Sequence, residues 1–211
     1  MARLEEKATV IAVPGREDLV LEGIFIRGDD AVGAGALIAP PHPLYGGSMT
    51  SPVVGELAWA CQRAGYATLR FEWRGVGASS GRPSGEAADA DADYAAALAH
   101  LADSVTGPLL AAGYSFGAAA ALRVAASASR VRRLVLVSPP AGWLDTAALS
   151  AFRGSALVLA GEDDEYASPA ALSEWLAGSS RASLEVIPGA DHFFQTGLAD
   201  ISRGIAKWLE A

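Results

Sequence analysis

The 211-residue sequence contains one cysteine, Cys61, so no intrachain disulfide can form. Cys61 lies one turn after Leu57 in a helical pattern and reads as a small core residue rather than a nucleophile. Basic charge is scarce. Sixteen Lys and Arg face 24 Asp and Glu, for a net charge of -8. The arginines are scattered, apart from Arg130-Val131-Arg132-Arg133 at a helix end, where cations suit the dipole. With no basic stripe to neutralise phosphates, a nucleic-acid partner is excluded. No apolar run reaches the roughly 18 residues of a membrane span. The stretch Met1 to Lys7 is charged and has no apolar h-region, which predicts no signal peptide and a cytoplasmic protein. Repeats and dividing linkers are also missing, and 51% of the residues are hydrophobic. The expectation is a single domain over 1–211 with a substantial core.

Periodicity orders that core. Thr9–Val13 reads as a strand, Pro14-Gly15 as its turn and Leu19–Ile26 as its hairpin partner. Short apolar strands are predicted at Gly35–Ala39, Ala67–Phe71, Leu109–Tyr114, Arg133–Val137, Ala156–Ala160 and Ala182–Ile187. Helices are predicted at 51–64, 85–101, 116–127, 169–176 and 198–209. Gly65 closes the first, and Glu86, Asp89 and Asp91 load acid into the start of the second. Strands alternating with helices predict a mostly parallel sheet of about eight strands, with an antiparallel amino-terminal hairpin and helices on both faces. Ligands bind such sheets beyond the carboxyl ends of the strands.

The chemistry concentrates at Gly113-Tyr114-Ser115-Phe116-Gly117. This G-x-S-x-G pentapeptide joins a strand to a helix, the context in which a serine is held in a tight turn with its hydroxyl exposed. The two glycines stand where a Cβ would strike a neighbouring backbone. A serine needs a base, and the base needs an orienting group. Of three histidines, His100 sits inside a helix and reads as structural. His42 lies in a proline loop. His192 follows the strand ending at Ile187 and is the candidate base. The carboxylate-dense stretch Gly161-Glu162-Asp163-Asp164-Glu165 follows a strand lying between the two in sequence, so the order serine, acid, histidine holds. An oxyanion would need preorganised N–H donors. Phe116 N–H is one candidate. Pro40, Pro41 and Pro43 have no N–H, which leaves His42 or Leu44 for the second, with His42 favoured by its offset from the strand end.

These segments resemble the α/β-hydrolase superfamily, and within it small lid-less bacterial hydrolases related to the dienelactone-hydrolase-like branch. The likeness runs from about Leu37 to the carboxyl terminus. It rests on Pro41–Met49, Leu69–Ser79, Gly113–Gly117, Val137–Pro140 and Ile187–Phe194. It implies an α/β-hydrolase fold without a cap domain, since only 17 positions separate Ser138 from Ser155. The family pattern of Gly-x-x-Asp after the penultimate strand points to Asp164 as the acid, with Asp163 as fallback. Arg74 to Gly77 resembles a structural family loop. Pro40 stands where the family often has histidine, which leaves no side-chain role there.

With no cap the pocket should be open and shallow, walled by Leu44, Tyr45, Phe116, Trp143 and Phe193. The implied function is a serine hydrolase cleaving esters of small acyl groups through Ser115, His192 and Asp164, without metal or organic cofactor. Its partner would be a small-molecule ester, with neither nucleic acid nor membrane; the oligomeric state is left open. Thioester cleavage, acyl transfer or peptide cleavage by the same groups is the alternative, since fold and triad do not set the leaving group. A binding protein on the same scaffold is a second alternative.

Overall fold

A computed structural model describes residues 5–210; the first four residues of the stretch read for a leader lie outside it. The strands are β1 (Glu6–Ala12), β2 (Val20–Ile26), β3 (Gly35–Ala39), β4 (Ala67–Phe71), β5 (Leu109–Tyr114), β6 (Val131–Val137), β7 (Ser155–Gly161) and β8 (Ala182–Ile187). They form one sheet in the order β1-β2-β4-β3-β5-β6-β7-β8. β1 and β2 pair antiparallel, as do β2 and β4, and every other pairing is parallel. The carboxyl ends of β3 to β8 therefore share one edge.

The helices are α1 (Pro52–Arg63), α2 (Ala87–Ser104), α3 (Phe116–Ala125), α4 (Thr146–Ala151), α5 (Pro169–Leu176) and α6 (Leu198–Glu210). Alternate strand residues feed two cores, as the pleat requires. Leu37, Ala39 and Ala111 face α2 and α3, with α4 and α5 extending that layer. Ala36, Ile38, Leu110 and Ala112 face α1 and α6. Strands buried on both faces explain the continuous apolar runs of β3, β5, β6 and β7.

Several expected boundaries shift. β1 runs from Glu6 to Ala12, three residues earlier at its start than Thr9, and β6 begins at Val131. α2 starts at Ala87, not Gly85, because the backbone of Glu86 before it is extended, at φ -75 and ψ 134. Its acids pair with arginines as well as suiting the dipole. Asp93 and Asp89 hold the buried Arg74, and Asp91 holds Arg123. The Arg130 cluster caps helix ends away from its own. Arg130 donates to the carbonyls of Ala102, Val105 and Gly107, and Arg133 to Leu209 O. Cys61 is fully buried, and burial pushes its thiol up to about 12. His100 Nε2 meets Thr9 Oγ1 at 3.1 Å. Between Ser138 and Ser155 the chain forms a 3-10 turn, Ala141–Trp143, and α4, capped by the Asp145 carboxylate on the N–H groups of Ala147 and Ala148. Neither element was anticipated, and together they make no lid. No described helix is long and apolar enough to cross a membrane.

Candidate active site

Ser115 stands between the end of β5 and the first residue of α3 at φ 54, ψ -116, a backbone region costly for any residue but glycine. The surroundings enforce it. Ser115 N–H donates to Val137 O at 2.9 Å, and Ser115 O accepts from Ala118 N–H at 3.0 Å. A Cβ at Gly113 would lie 2.3 Å from Gly117 C, and one at Gly117 would lie 2.5 Å from Pro40 O. Both glycines are therefore required by close backbone approach.

The β8 loop brings His192 to this corner. Its Nε2 lies 3.1 Å from Ser115 Oγ, and its Nδ1 lies 2.9 and 3.0 Å from the two oxygens of Asp164. All three residues are buried. The loops are tied to each other. Asp163 N–H donates to Ala190 O, Gly189 N–H to Glu162 Oε2, and Tyr114 Oη to His192 O at 2.8 Å. Asp191 Oδ1 accepts from the N–H groups of Phe193 and Gln195. Asp164, not Asp163, faces the imidazole. Burial pushes the Asp164 carboxyl up. Contact with His192 and Ser138, the Ala167 N–H and the His192 charge outweigh that and hold it below the ordinary carboxylate value. Ser138 is buried at φ 44, and its Oγ makes no hydrogen bond of ordinary geometry. Its influence on the carboxyl is therefore one of proximity.

The two candidate oxyanion donors are differently placed. Phe116 N–H opens α3 and has no carbonyl one turn back to receive it. In the β3 loop, Leu44 N–H donates to His42 Nδ1 at 3.2 Å. That bond occupies Leu44 and places the ring proton of neutral His42 on Nε2. The His42 N–H meets no acceptor among the described residues. Burial lowers the His42 pKa, which favours the neutral ring.

The pocket residues expected from sequence gather around these groups. The His42 ring lies 4.5 Å from Phe116, 4.7 Å from Tyr45 and 5.8 Å from Trp143. Phe193 stands 5.4 Å from the His192 ring. Leu44, Tyr45, Trp143 and Phe193 are all exposed, whereas Phe116 is buried beneath them. Tyr166, which sequence reasoning missed, completes the rim at 4.9 Å from the His192 ring. The only sequence signal for it was its place two residues after Asp164. A cleft of about 550 Å³ lined by Phe25, Arg27, Asp103 and Val105 lies at the other end of the sheet, remote from Ser115.

An eight-stranded sheet with this elbow has clear counterparts. It superimposes on an alpha-beta serine hydrolase homologue from Coxiella burnetii with a TM-score of 0.88, at 28% identity, covering 99% of this chain and 100% of that one. The chain is an α/β-hydrolase. The hydrolase is also similar to XC6422 from Xanthomonas campestris, an a/b serine hydrolase without lid, with a TM-score of 0.82 and 28% identity over 100% of this chain and 98% of that one. Residues 44–148 of the hydrolase match the family model Hydrolase_4, serine aminopeptidase, S33. An uncharacterised protein, RP471, of Rickettsia prowazekii is 27% identical over 90% of this chain and 84% of its own length.

Proposed function

We propose that this hydrolase cleaves esters of small acyl groups through an acyl-enzyme on Ser115. The observation that carries the reading is the buried chain of hydrogen bonds from Ser115 Oγ through His192 to Asp164. Asp164 accepts a hydrogen bond from Nδ1–H, so the Nε2 lone pair faces the serine hydroxyl. Ser115 Oγ attacks the ester carbonyl carbon while Nε2 takes its proton. Phe116 N–H and His42 N–H receive the oxyanion. The ester C–O bond then breaks, and the departing alkoxide takes the proton from Nε2. Water repeats the sequence on the acyl-enzyme, and Ser115 recovers its proton as the acid leaves. The open rim of Leu44, Tyr45, Trp143, Tyr166 and Phe193 suits an apolar substrate, because exposed apolar side chains cluster there.

One physical argument ranks the alternatives. The loops 40–49, 138–146, 161–168 and 188–197 contain no Lys or Arg but hold Asp145, Glu162, Asp163, Glu165 and Asp191. A polyanionic coenzyme A thioester would meet like charge there. Peptide cleavage is the second reading, favoured by the match to a serine aminopeptidase family model. The experiment compares kcat/KM on p-nitrophenyl acetate, butyrate and octanoate with that on acyl-CoA and peptide amides. Fluorophosphonate labelling of the parent and of Ser115→Ala runs in parallel. Short esters should lead, and labelling should vanish in Ser115→Ala. A parent that neither labels nor turns over would favour the binding-protein alternative.

A further inference from the structure

The segment Glu72-Trp73 leaves β4 beneath the β3 loop, and the reaction sequence above gives it no part. It is nonetheless buried, with Glu72 3% and Trp73 1% exposed. Its side-chain polar atoms are all directed at that loop. Trp73 Nε1 donates to Pro40 O at 3.1 Å and to Pro41 O at 3.0 Å. Glu72 Oε1 accepts from Ser48 Oγ at 2.5 Å, and Glu72 Oε2 accepts from Met49 N–H at 3.0 Å. Two consecutive residues thus hold the two ends of one loop, and His42 lies between the ends. Inside the loop, prolines at 40, 41 and 43 remove donors, which leaves turns from Tyr45 N–H and Gly47 N–H onto His42 O. The Trp73 ring also packs edge-on against Phe116, with centroids 5.5 Å apart. Trp73 therefore touches Phe116 and the Pro41 carbonyl, whose peptide unit carries the His42 N–H.

We propose that Trp73 and Glu72 are positioning residues for the oxyanion site, setting where the His42 N–H points relative to Ser115. This rests on the serine-esterase reading. Neither side chain touches the substrate. Trp73 ties the loop's start to the floor under Phe116, and Glu72 ties down its end. An oxyanion donor works only if it is fixed before charge develops, and a displacement of about 1 Å can lower a rate about 100-fold. The Glu72 role is one of hydrogen bonding. A glutamine there can accept from Met49 N–H and donate to Ser48 Oγ, whereas alanine can do neither.

The test compares the parent with Trp73→Phe, Glu72→Ala and Glu72→Gln on p-nitrophenyl acetate, each assayed well below its own Tm. Trp73→Phe and Glu72→Ala should lose about 10- to 100-fold in kcat with KM within about threefold. Their affinity for a trifluoromethyl ketone, which forms an oxyanion on Ser115, should fall by a similar factor. Glu72→Gln should restore both to near the parent values. If Trp73→Phe and Glu72→Ala keep parental kcat and ketone affinity while only Tm falls, the segment is merely structural and the proposal fails. It also fails if Glu72→Gln is as impaired as Glu72→Ala. A parent inactive on esters and unlabelled by fluorophosphonate would instead remove the esterase reading, and this proposal with it.

Discussion

Asp164 does two things with one carboxylate. Its Oδ1 accepts the N–H groups of Tyr166 and Ala167 at 2.9 and 2.7 Å, and both oxygens face His192 Nδ1. The backbone donors fix the carboxylate, and the carboxylate fixes the imidazole tautomer. Asp164→Asn should keep the size and the backbone bonds while presenting an amide to Nδ1. The wrong tautomer then places a proton on Nε2, and kcat should fall on the order of 10³- to 10⁴-fold, with the fold intact by circular dichroism. An asparagine variant within tenfold of the parent would mean that His192 does not depend on this partner. The same proton logic applies to pH. A base must be unprotonated to act, so kcat/KM on p-nitrophenyl acetate should rise with pH across the range of about 5 to 8 where histidines change charge. A flat profile would place the base elsewhere.

At the scale of elements, the site is a contact between the β5–α3 corner and the β3 loop. A Cβ at Gly117 would sit 2.5 Å from Pro40 O and 2.7 Å from Ala39 O, both of them backbone atoms that cannot rotate away. Gly117→Ala should therefore push the loop off the corner, costing about 1–3 kcal/mol, or a Tm drop on the order of 5 °C. Gly142→Ala, in open space, is the control and should leave Tm near the parent value. Equal Tm values for both variants would contradict the packing. The β5–α3 corner was legible in the sequence because its glycines answer a local steric demand, and β3, β5 and β7 because double burial writes continuous apolar runs. Ser115 followed from the pentapeptide, and His192 from its place directly after a strand. Asp164 needed the family pattern to separate it from Asp163, since both follow the same strand. Tyr166 and the Glu72-Trp73 tie were not legible. Their contacts join β4 to the β3 loop, and the β7 loop to the β8 loop, across distances in sequence that periodicity does not encode. α4 was missed because six residues carry too little periodicity to register.

Across the whole molecule, two buried carboxylates pull stability in opposite directions with pH. The folded pKa of Asp164 lies below its ordinary value of 3.8. Its contribution is therefore present at neutral pH and is lost as pH falls below that value toward the folded pKa. Glu72 is the reverse case. Burial, as the largest influence, raises its folded pKa above the ordinary 4.5 despite the Ser48 and Met49 hydrogen bonds, and Glu22 adds repulsion. Its contribution is full below 4.5 and is lost as pH rises through the folded pKa. At neutral pH the ionised Glu72 therefore opposes folding relative to a neutral isostere. Glu72→Gln should have a Tm above the parent at pH 7 to 8, and this advantage should shrink as pH is lowered past the folded pKa of Glu72, where the parent carboxyl becomes neutral as well. Thermal unfolding of both proteins between about pH 4 and 8 reads this directly. A Tm difference that stays constant would mean that the Ser48 and Met49 bonds balance the burial penalty on the charge, and one that grows on acidification that they outweigh it.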